Sequence, residues 1–249
     1  MILIKTPEEI EIMKQGGKFL ARILQKTKEI VRPGITTKEL DKFAENLIFQ
    51  CGAKPAFKGY DGFPCVLCAS VNEEIVHTVP CERILKKGDI VSLDCGLIWK
   101  GFYTDMAITV GVGEISLEKK TLLNITREAL NRGIKKAKNG NTFGDIGNVI
   151  QEYVEKQGFN IVRELCGHGI GRDLHEDPLI LNYSKPRIGP KIREGMVFCL
   201  EPMVTIGDWR IKKGKDGQCL ETKDGSLSAH FEHMVAITKN GAKVLTASI

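Results

Sequence analysis

Four carboxylates stand inside apolar, β-rich stretches of the chain. Asp94 lies in VSLDCGL, Asp105 in GFYTDMAITV, Glu201 in FCLEPM and Glu232 in AHFEHMVAIT. Burying a carboxylate among such neighbours is costly unless it is paired or bound to a metal ion. A basic partner at a strand end would explain any one of these acids. Four of them, two in the first half of the chain and two in the second, favour a role as metal ligands.

Histidine adds a nitrogen donor to this set. His168 and His175 lie in GHGIGRDLHEDP, where three glycines disfavour a helix and predict a loop or an extended segment with close backbone approach. Carboxylates and a histidine form an oxygen-rich ligand set that can hold two divalent ions about 3.5–4 Å apart. Such ions lower the pKa of a bridging water and polarise a carbonyl, so the set indicates metal-dependent hydrolysis.

Several other catalytic motifs are missing from the sequence. His175-Glu176-Asp177-Pro178 lacks the second histidine of HExxH, and the chain contains no GxSxG, P-loop or GxGxxG. Cys65-x-x-Cys68 has no second pair, so it is weak evidence for a structural zinc site. These observations argue against zincin proteases and against a dinucleotide-binding fingerprint.

The elements that position these residues follow one order twice. Apolar periodicity and capping residues predict helices over 7–31, 36–51, 116–138 and 142–157. Strands are predicted over 65–71, 89–98, 101–112, 160–165, 196–206, 208–212 and 231–238. Helices followed by strands, twice over, predict an α+β fold with a mainly antiparallel sheet. A turn at Lys100-Gly101 would bring Asp105 beside Asp94.

An internal repeat supports this order. Residues 34–52 resemble 140–158 at a displacement of 106, and GDIVSLD at 88–94 resembles GMVFCLE at 195–201 at a displacement of 107. Chance similarity is the alternative, but two segments whose displacements differ by only one residue favour duplication. The repeat predicts one catalytic domain over 1–249, built from related halves at about 1–113 and 114–249, with a site at their seam.

Composition narrows the class of protein. The 249 residues are 42% apolar and 27% charged, with 36 basic and 31 acidic side chains and a net charge of +5. This balance is typical of a globular protein, and no apolar run approaches the ~20 residues of a membrane helix. The N-terminus lacks the pattern of a secretory signal, and the eight cysteines are expected to be reduced thiols in the cytoplasm.

The same charge pattern bears on partners. Both signs are interleaved along the chain, which favours a solvated mixed surface over a nucleic-acid footprint. We therefore expect no specific nucleic acid and no membrane as partner. A weak affinity for a polyanion such as a ribosome stays open, and a monomer is expected.

Taken together, the motifs resemble those of the pita-bread metallopeptidases. The D-x10-D pair Asp94/Asp105, GHGIGRDLHEDP, LEPM and FEH carry the resemblance, and over about residues 2–245 the chain is similar to type I methionine aminopeptidases of the bacterial kind. The opening IKTPEEIEIMKQGGKFLARIL and TKDGSLSAHFEH add to it. The resemblance implies a pita-bread fold of two pseudo-symmetric halves covered by helices. It also implies removal of the initiator methionine from nascent chains whose second residue is small and whose amine is free.

Site residues follow from this resemblance position by position. It implies that two divalent ions (Co, Mn, Fe or Zn) are bound by Asp94, Asp105, His168, Glu201 and Glu232, with Asp105 and Glu232 bridging them. Glu201 would also shuttle the proton of the attacking water. His175 would steady the scissile carbonyl, and His77 would hydrogen-bond the peptide nitrogen.

The methionine pocket matches the family less completely. Tyr60, Phe63 and Cys68 fall at pocket positions of the family. Phe57 stands where Cys is common, Leu174 replaces Phe, and Gln218 replaces Trp. His230 occupies a position often held by Gln. These departures concern the shape of the pocket and leave the implied metal ligands unchanged.

Two alternatives are weighed against this interpretation. Aminopeptidase P and prolidase share GHGxG and HExP, but those forms usually carry an additional N-terminal domain. Type II methionine enzymes carry an insert between the late ligands, whereas here 30 residues separate Glu201 from Glu232. A pita-bread binding protein without catalysis should have lost ligands, and all five are present.

Overall fold

The computed structural model describes residues 1–247, and within them two helices followed by strands occur twice. The helices are α1 (Pro7–Glu29), α2 (Thr37–Gln50), α3 (Leu117–Lys136) and α4 (Phe143–Lys156). The strands are β1 (Lys54–Pro55), β2 (Leu67–Val71), β3 (Glu74–Val76), β4 (Ile90–Trp99), β5 (Phe102–Gly111), β6 (Asn160–Ile161), β7 (Cys166–Gly169), β8 (Glu176–Leu181), β9 (Val197–Leu200), β10 (Met203–Thr205), β11 (Ile211–Lys213), β12 (Leu220–Thr222), β13 (Ser228–His230), β14 (His233–Thr238) and β15 (Gly241–Val244). The four predicted helices are confirmed to within two residues at each end.

Equivalent local signals begin α2 and α4. Thr36 caps α2 and exchanges hydrogen bonds with Glu39, and Thr142 caps α4 and does the same with Asp145. A capping box satisfies two backbone N–H groups that the first helical turn leaves free. Both helices have 14 residues, and their caps are 106 positions apart. The two helices therefore begin with the same capping arrangement at equivalent positions, as the sequence repeat predicts.

Strand pairing is antiparallel throughout the described residues. In the first half, β4 pairs with β1 and β2 on one side and with β5 on the other. In the second half the order is β15-β14-β9-β7-β8, and two small sheets, β13-β10-β6 and β11-β12-β3, complete the fold. Lys100 (φ 48°) and Gly101 (φ 83°) form the tight turn between β4 and β5, as predicted.

Two predicted strands are wrong in their continuity. The strand expected over 196–206 breaks at Glu201-Pro202, because β9 ends at Leu200 and β10 begins at Met203. The strand expected over 231–238 starts only at His233, so Glu232 lies between β13 and β14. At these two breaks the paired strands β9 and β14 of the five-stranded sheet give way to the paired strands β10 and β13 of the small sheet. A proline cannot donate to a ladder, which fits such a break.

Each half has its own apolar core. In the first, Leu24 of α1 and Leu40 of α2 pack with Leu93 of β4. In the second, Ile150 of α4 packs with Phe198 of β9. Helices thus cover one side of the strands in both halves. No helix in the described part of the chain combines the length and apolar character that a membrane crossing requires.

Candidate metal centre

The β4–β5 hairpin brings two of the acids to one face. Asp94 lies opposite Ala107, and Asp105 lies opposite Gly96, so the two carboxylates are diagonal neighbours across the pair. Side chains two residues apart on a strand point to the same face of the sheet, so Asp105 shares a face with Ala107. Ala107 lies opposite Asp94, and the two carboxylates are therefore on that same face. The tight turn at residues 100–101 fixes this register.

The other two acids come from the strand breaks of the second half. The backbone N–H of Glu232 donates to the carbonyl of Ala107 at 2.9 Å, which joins the second half to β5. The carbonyl of Glu201 accepts a hydrogen bond from the side-chain amide of Asn182 at 3.1 Å. Because neither residue lies in a strand, its side chain can turn toward the acids of the hairpin.

His168 of β7 completes the cluster. Its Nδ1 lies 2.9 Å from the carbonyl oxygen of Gly169, so Nδ1 carries the proton and donates it there. Nε2 keeps its lone pair and lies 3.5 Å from Glu201 Oε1 and 4.0 Å from Asp105 Oδ2. Burial lowers the pKa of His168 to about 4, so the ring is neutral near pH 7. A neutral imidazole with one nitrogen held by a carbonyl is the usual form of a metal-binding histidine.

Electrostatics of the four acids favour the binding of a cation. Desolvation raises the pKa of Asp94 to about 7. Desolvation and then repulsion among the neighbouring carboxylates raise the pKa values of the other three, Asp105, Glu201 and Glu232. Buried charges of this kind require a partner of opposite sign.

Unpaired oxygens test whether a divalent ion fits the site. Oδ1 of Asp94 and Oε1 of Glu232 are buried without a hydrogen-bond partner. Ligand atoms of Asp94, Asp105 and Glu232 lie within 4.8 Å of one another, and the same holds for His168, Cys199 and Glu232. Carboxylate oxygens and one imidazole nitrogen suit hard or borderline divalent cations. The side chains present at this site therefore have the chemistry needed to bind a divalent metal ion.

Two further histidines lie beside the acids. The hydroxyl of Tyr60 lies 2.8 Å from His175 Nδ1, and the rings of His168 and His175 meet edge to face at 4.5 Å. Burial lowers the pKa of His175, which favours a neutral ring. When the Tyr60 hydroxyl donates to Nδ1, Nε2 carries the proton and becomes a donor. Burial also lowers the pKa of His77, and its backbone has φ 59°, which is rare outside glycine.

All thirteen residues assigned to the site from sequence line one cavity of about 450 Å³. Five residues of its apolar wall belong to one cluster, in which Phe57, Cys68 and Leu174 are buried and Tyr60 and Phe63 pack against them. The remaining members are Asp94, Asp105, His168, Glu201, Glu232, His77, His175 and Gln218. Gln218 is exposed at the rim. The arrangement joins an acidic end to an apolar recess.

Sequence reasoning missed other residues that line the cavity. They are Asp61, Val76, Glu164, Leu165, Cys166, Leu179 and Met203. Met203 belongs to the LEPM motif itself and Val76 precedes His77, so proximity to the motifs could have found both. Leu179, 72% exposed, gives no such signal.

His230 lies outside the cavity lining but close to it. Its side chain is buried, neither ring nitrogen has a hydrogen-bond partner, and Nε2 lies 3.9 Å from Glu201 Oε2.

Comparisons with known proteins agree with this site. The sequence pattern described as "Metallopeptidase family M24" matches residues 11–239. The methionine aminopeptidase of Clostridium perfringens is 51% identical over 99% of both chains. The crystal structure of methionine aminopeptidase from Thermotoga maritima has a TM-score of 0.98 at 46% identity, covering 100% of both chains. Prolidase from Pyrococcus furiosus has a TM-score of 0.81 at 26% identity, with 99% of this chain and 66% of that chain covered.

The chain therefore belongs to metallopeptidase family M24, within the group of the methionine aminopeptidases. This membership confirms the predicted pita-bread fold and the binding of divalent metal.

Proposed function

We propose that the chain is a methionyl aminopeptidase, which removes the N-terminal methionine of nascent proteins when the second residue is small and the amine is free. The observation that carries this proposal is a single cavity with four buried acids at one end and an apolar recess at the other. The recess is lined by groups that suit an unbranched thioether side chain. The family of the chain supports the same reaction.

The proposed ligands of two divalent ions are Asp94, Asp105, His168, Glu201 and Glu232. Bound divalent ions supply Lewis acidity, which lowers the pKa of a water and polarises a carbonyl. Two ions, rather than one, are proposed because the family resemblance implies two and because the candidate ligand atoms form two groups that share Glu232, one with Asp94 and Asp105 and one with His168 and Cys199. Mn, Fe, Co and Zn are each proposed as candidates for this donor set.

Protein side chains handle the protons in this proposal. Glu201 accepts the proton of the attacking water and returns it to the leaving amine; its carboxylate lies 3.5 Å from His168 Nε2 and close enough to Asp105 and Asp94 to be repelled by their charges. His175 donates Nε2–H to the scissile carbonyl oxygen, with the Tyr60 hydroxyl on Nδ1 fixing that tautomer. Donors aimed at a developing oxyanion are typically the largest catalytic term. His77 hydrogen-bonds the peptide nitrogen on the leaving side.

The methionine side chain occupies the recess formed by the apolar cluster of Phe57, Tyr60, Phe63, Cys68 and Leu174. Gln218 stands at the rim, where it can contact a substrate beyond the first residue.

The same proposal covers organisation and partners. Residues 1–249 form one catalytic domain of two related halves, since acids from both are needed for one cavity. The protein acts as a cytoplasmic monomer on the N-termini of nascent chains, and association with the ribosome would bring it close to them.

A chelation experiment tests the proposed function. Metal-stripped protein and protein reloaded with each of Mn, Fe, Co and Zn are assayed on Met-Ala-Ser, with Ala-Pro as a prolidase-type substrate. We expect turnover of Met-Ala-Ser only with metal and little turnover of Ala-Pro. Identical behaviour of stripped and loaded samples would contradict the proposal, and a preference for Ala-Pro would indicate a prolidase.

A further inference from the structure

A buried ion pair lies beside the turn that carries His175. Lys5 Nζ contacts Glu176 Oε2, and the two side chains are only 5% and 6% exposed. Lys5 belongs to the segment before α1, whereas Glu176 begins β8 and follows His175 directly. Neither residue lines the cavity. The pair therefore lies outside the site but one peptide bond from one of its histidines.

The Glu176 carboxylate also closes the turn over residues 171–176. Its Oε1 accepts the backbone N–H of Arg172 at 2.8 Å and of Asp173 at 3.4 Å. A Cβ at Gly171 would lie 2.6 Å from that oxygen and 2.8 Å from Lys5 Nζ, so the backbone of the turn rests against the pair. One carboxylate thus fixes both ends of the turn.

The surroundings hold the pair and the turn in place. The backbone N–H of Lys5 donates to the carbonyl of Gly195 at 2.8 Å, which anchors the N-terminal segment to the second half. The carbonyl of Gly171 accepts the N–H of Tyr103 on β5 at 2.8 Å. At the far end of the turn, His175 meets Tyr60. The turn is consequently fixed on one side by the pair and on the other by the first-half strands.

Stability alone is a poor reason for such a pair. Removing two charges from water offsets most of their attraction, and apolar replacements of buried pairs are often as stable. What a buried pair does impose is one geometry, because either partner left alone is a buried unpaired charge.

We propose that Lys5 and Glu176 are positioning residues for His175. Their ion pair sets the conformation of the 171–176 turn, and so holds the His175 ring against Tyr60 with Nε2 directed at the substrate carbonyl. This inference rests on the proposed function, in which His175 donates to that carbonyl. Catalytic groups tolerate little displacement, and a shift of about 1 Å can cost 10²-fold in rate.

Lys5→Met and Glu176→Gln test the inference. The first removes the charge but keeps most of the stem, and the second keeps an oxygen for the Arg172 amide while removing the charge. Each should lower kcat/KM for Met-Ala-Ser by roughly 10- to 100-fold, mainly through kcat, with metal content unchanged. Lys38→Met is the matched control, because the Lys38–Glu82 pair is exposed; its kcat/KM should equal that of the wild type.

A double-mutant cycle with His175→Ala separates positioning from general damage. If the pair acts through His175, Lys5→Met should cause less than about a twofold further loss in the His175→Ala background. The same factor in both backgrounds, or full activity of both single variants, would overturn the inference. Glu176→Gln carries the same cycle if Lys5→Met does not fold.

The two proposals fail differently in this experiment. Wild-type protein that does not cleave Met-Ala-Ser with any metal would overturn the proposed function and this inference with it. An active wild type with additive losses would overturn the inference alone.

Discussion

The backbone N–H of Glu232 donates to the carbonyl of Ala107 at 2.9 Å, and this bond joins the two halves at the candidate metal centre. Two residues before Glu232, the backbone N–H of His230 donates to the Thr109 hydroxyl at 2.9 Å, and that hydroxyl lies 2.8 Å from the His230 carbonyl. Ser92 of β4 lies 2.8 Å from the same hydroxyl. The halves thus meet along β5, and the acids of both converge there.

Thr109→Val should loosen this seam. Valine keeps the shape of threonine but leaves the buried backbone groups of His230 without their partner, and an unsatisfied buried group costs about 1–3 kcal/mol. Urea unfolding of the metal-free protein should show that loss of stability. Thr121→Val, whose hydroxyl bonds to Leu117 on an exposed part of α3, is the control with a smaller expected effect. Equal stability of Thr109→Val and wild type would show that the hydroxyl does not hold the seam.

Glu201→Gln should nearly abolish turnover while the protein retains part of its metal. The amide keeps one ligating oxygen but cannot accept a proton, and loss of a general base typically costs ~10²–10⁴-fold. Peptide turnover and metal analysis of the same sample measure the two effects. Glu194 is an exposed acid in the segment that leads into β9, so the control variant Glu194→Gln should behave like the wild type. Near-native turnover of Glu201→Gln would remove this residue from the mechanism.

The contribution of Asp94 to the stability of the metal-free protein should fall as the pH rises from about 4 to about 7, whereas the lowered pKa of His168, about 4, contributes with the opposite sign. Burial raises the pKa of Asp94 to about 7 from the ordinary value of about 4. Between these values the folded state binds more protons at Asp94 than the unfolded state does, so the contribution of Asp94 to the free energy of unfolding decreases with pH. Bound metal favours the ionised acids, so metal should stabilise more at pH 7.5 than at pH 5.5.

Melting temperatures with and without metal at the two pH values measure this effect. Asp94→Asn removes the titrating group, so the difference in melting temperature between the metal-free wild type and this variant isolates the contribution of Asp94. A difference, wild type minus variant, that rises toward pH 7.5 would contradict the expected sign.

Gln218→Trp should change discrimination among N-terminal residues more than it changes metal content. Gln218 lies at the cavity rim, where an indole would extend the apolar wall. Relative rates on peptides beginning with Met, norleucine or Leu measure the change, and Gln50→Trp at the exposed end of α2 is the control. Unchanged relative rates would indicate that residue 218 does not contact the substrate.

Formyl-Met-Ala-Ser should resist cleavage, whereas Met-Ala-Ser is cleaved. The proposed function places the substrate amine at the acidic end of the cavity, and a formyl group both delocalises the nitrogen lone pair and adds bulk there. Bulky second residues should press against the segments carrying His77 and His175, so Met-Phe peptides should be poor substrates. Comparable turnover of free and formylated peptides would contradict a closed amine end.

Local sequence was sufficient for the helices and for the repeat. Thr36 with Glu39 and Thr142 with Asp145 start equivalent helices through contacts three residues apart, and the Lys100-Gly101 turn likewise depends on two adjacent residues. Short strands were harder. Residues 166–169 and 176–181 pair with each other although glycines weaken the β pattern. The breaks at Glu201 and Glu232 arise because two paired strands leave one sheet and enter another at the same point.

The sequence by itself determined which chemistry the chain carries: four acids and a histidine in apolar surroundings, in the order of one family. Only the tertiary structure decided how they meet. Tyr60 reaches His175 across 115 positions, and Lys5 reaches Glu176 across 171. Residue types and local periodicity can be read from neighbouring positions in the sequence. Contacts between residues this far apart depend on how the two halves pack, which no short segment specifies.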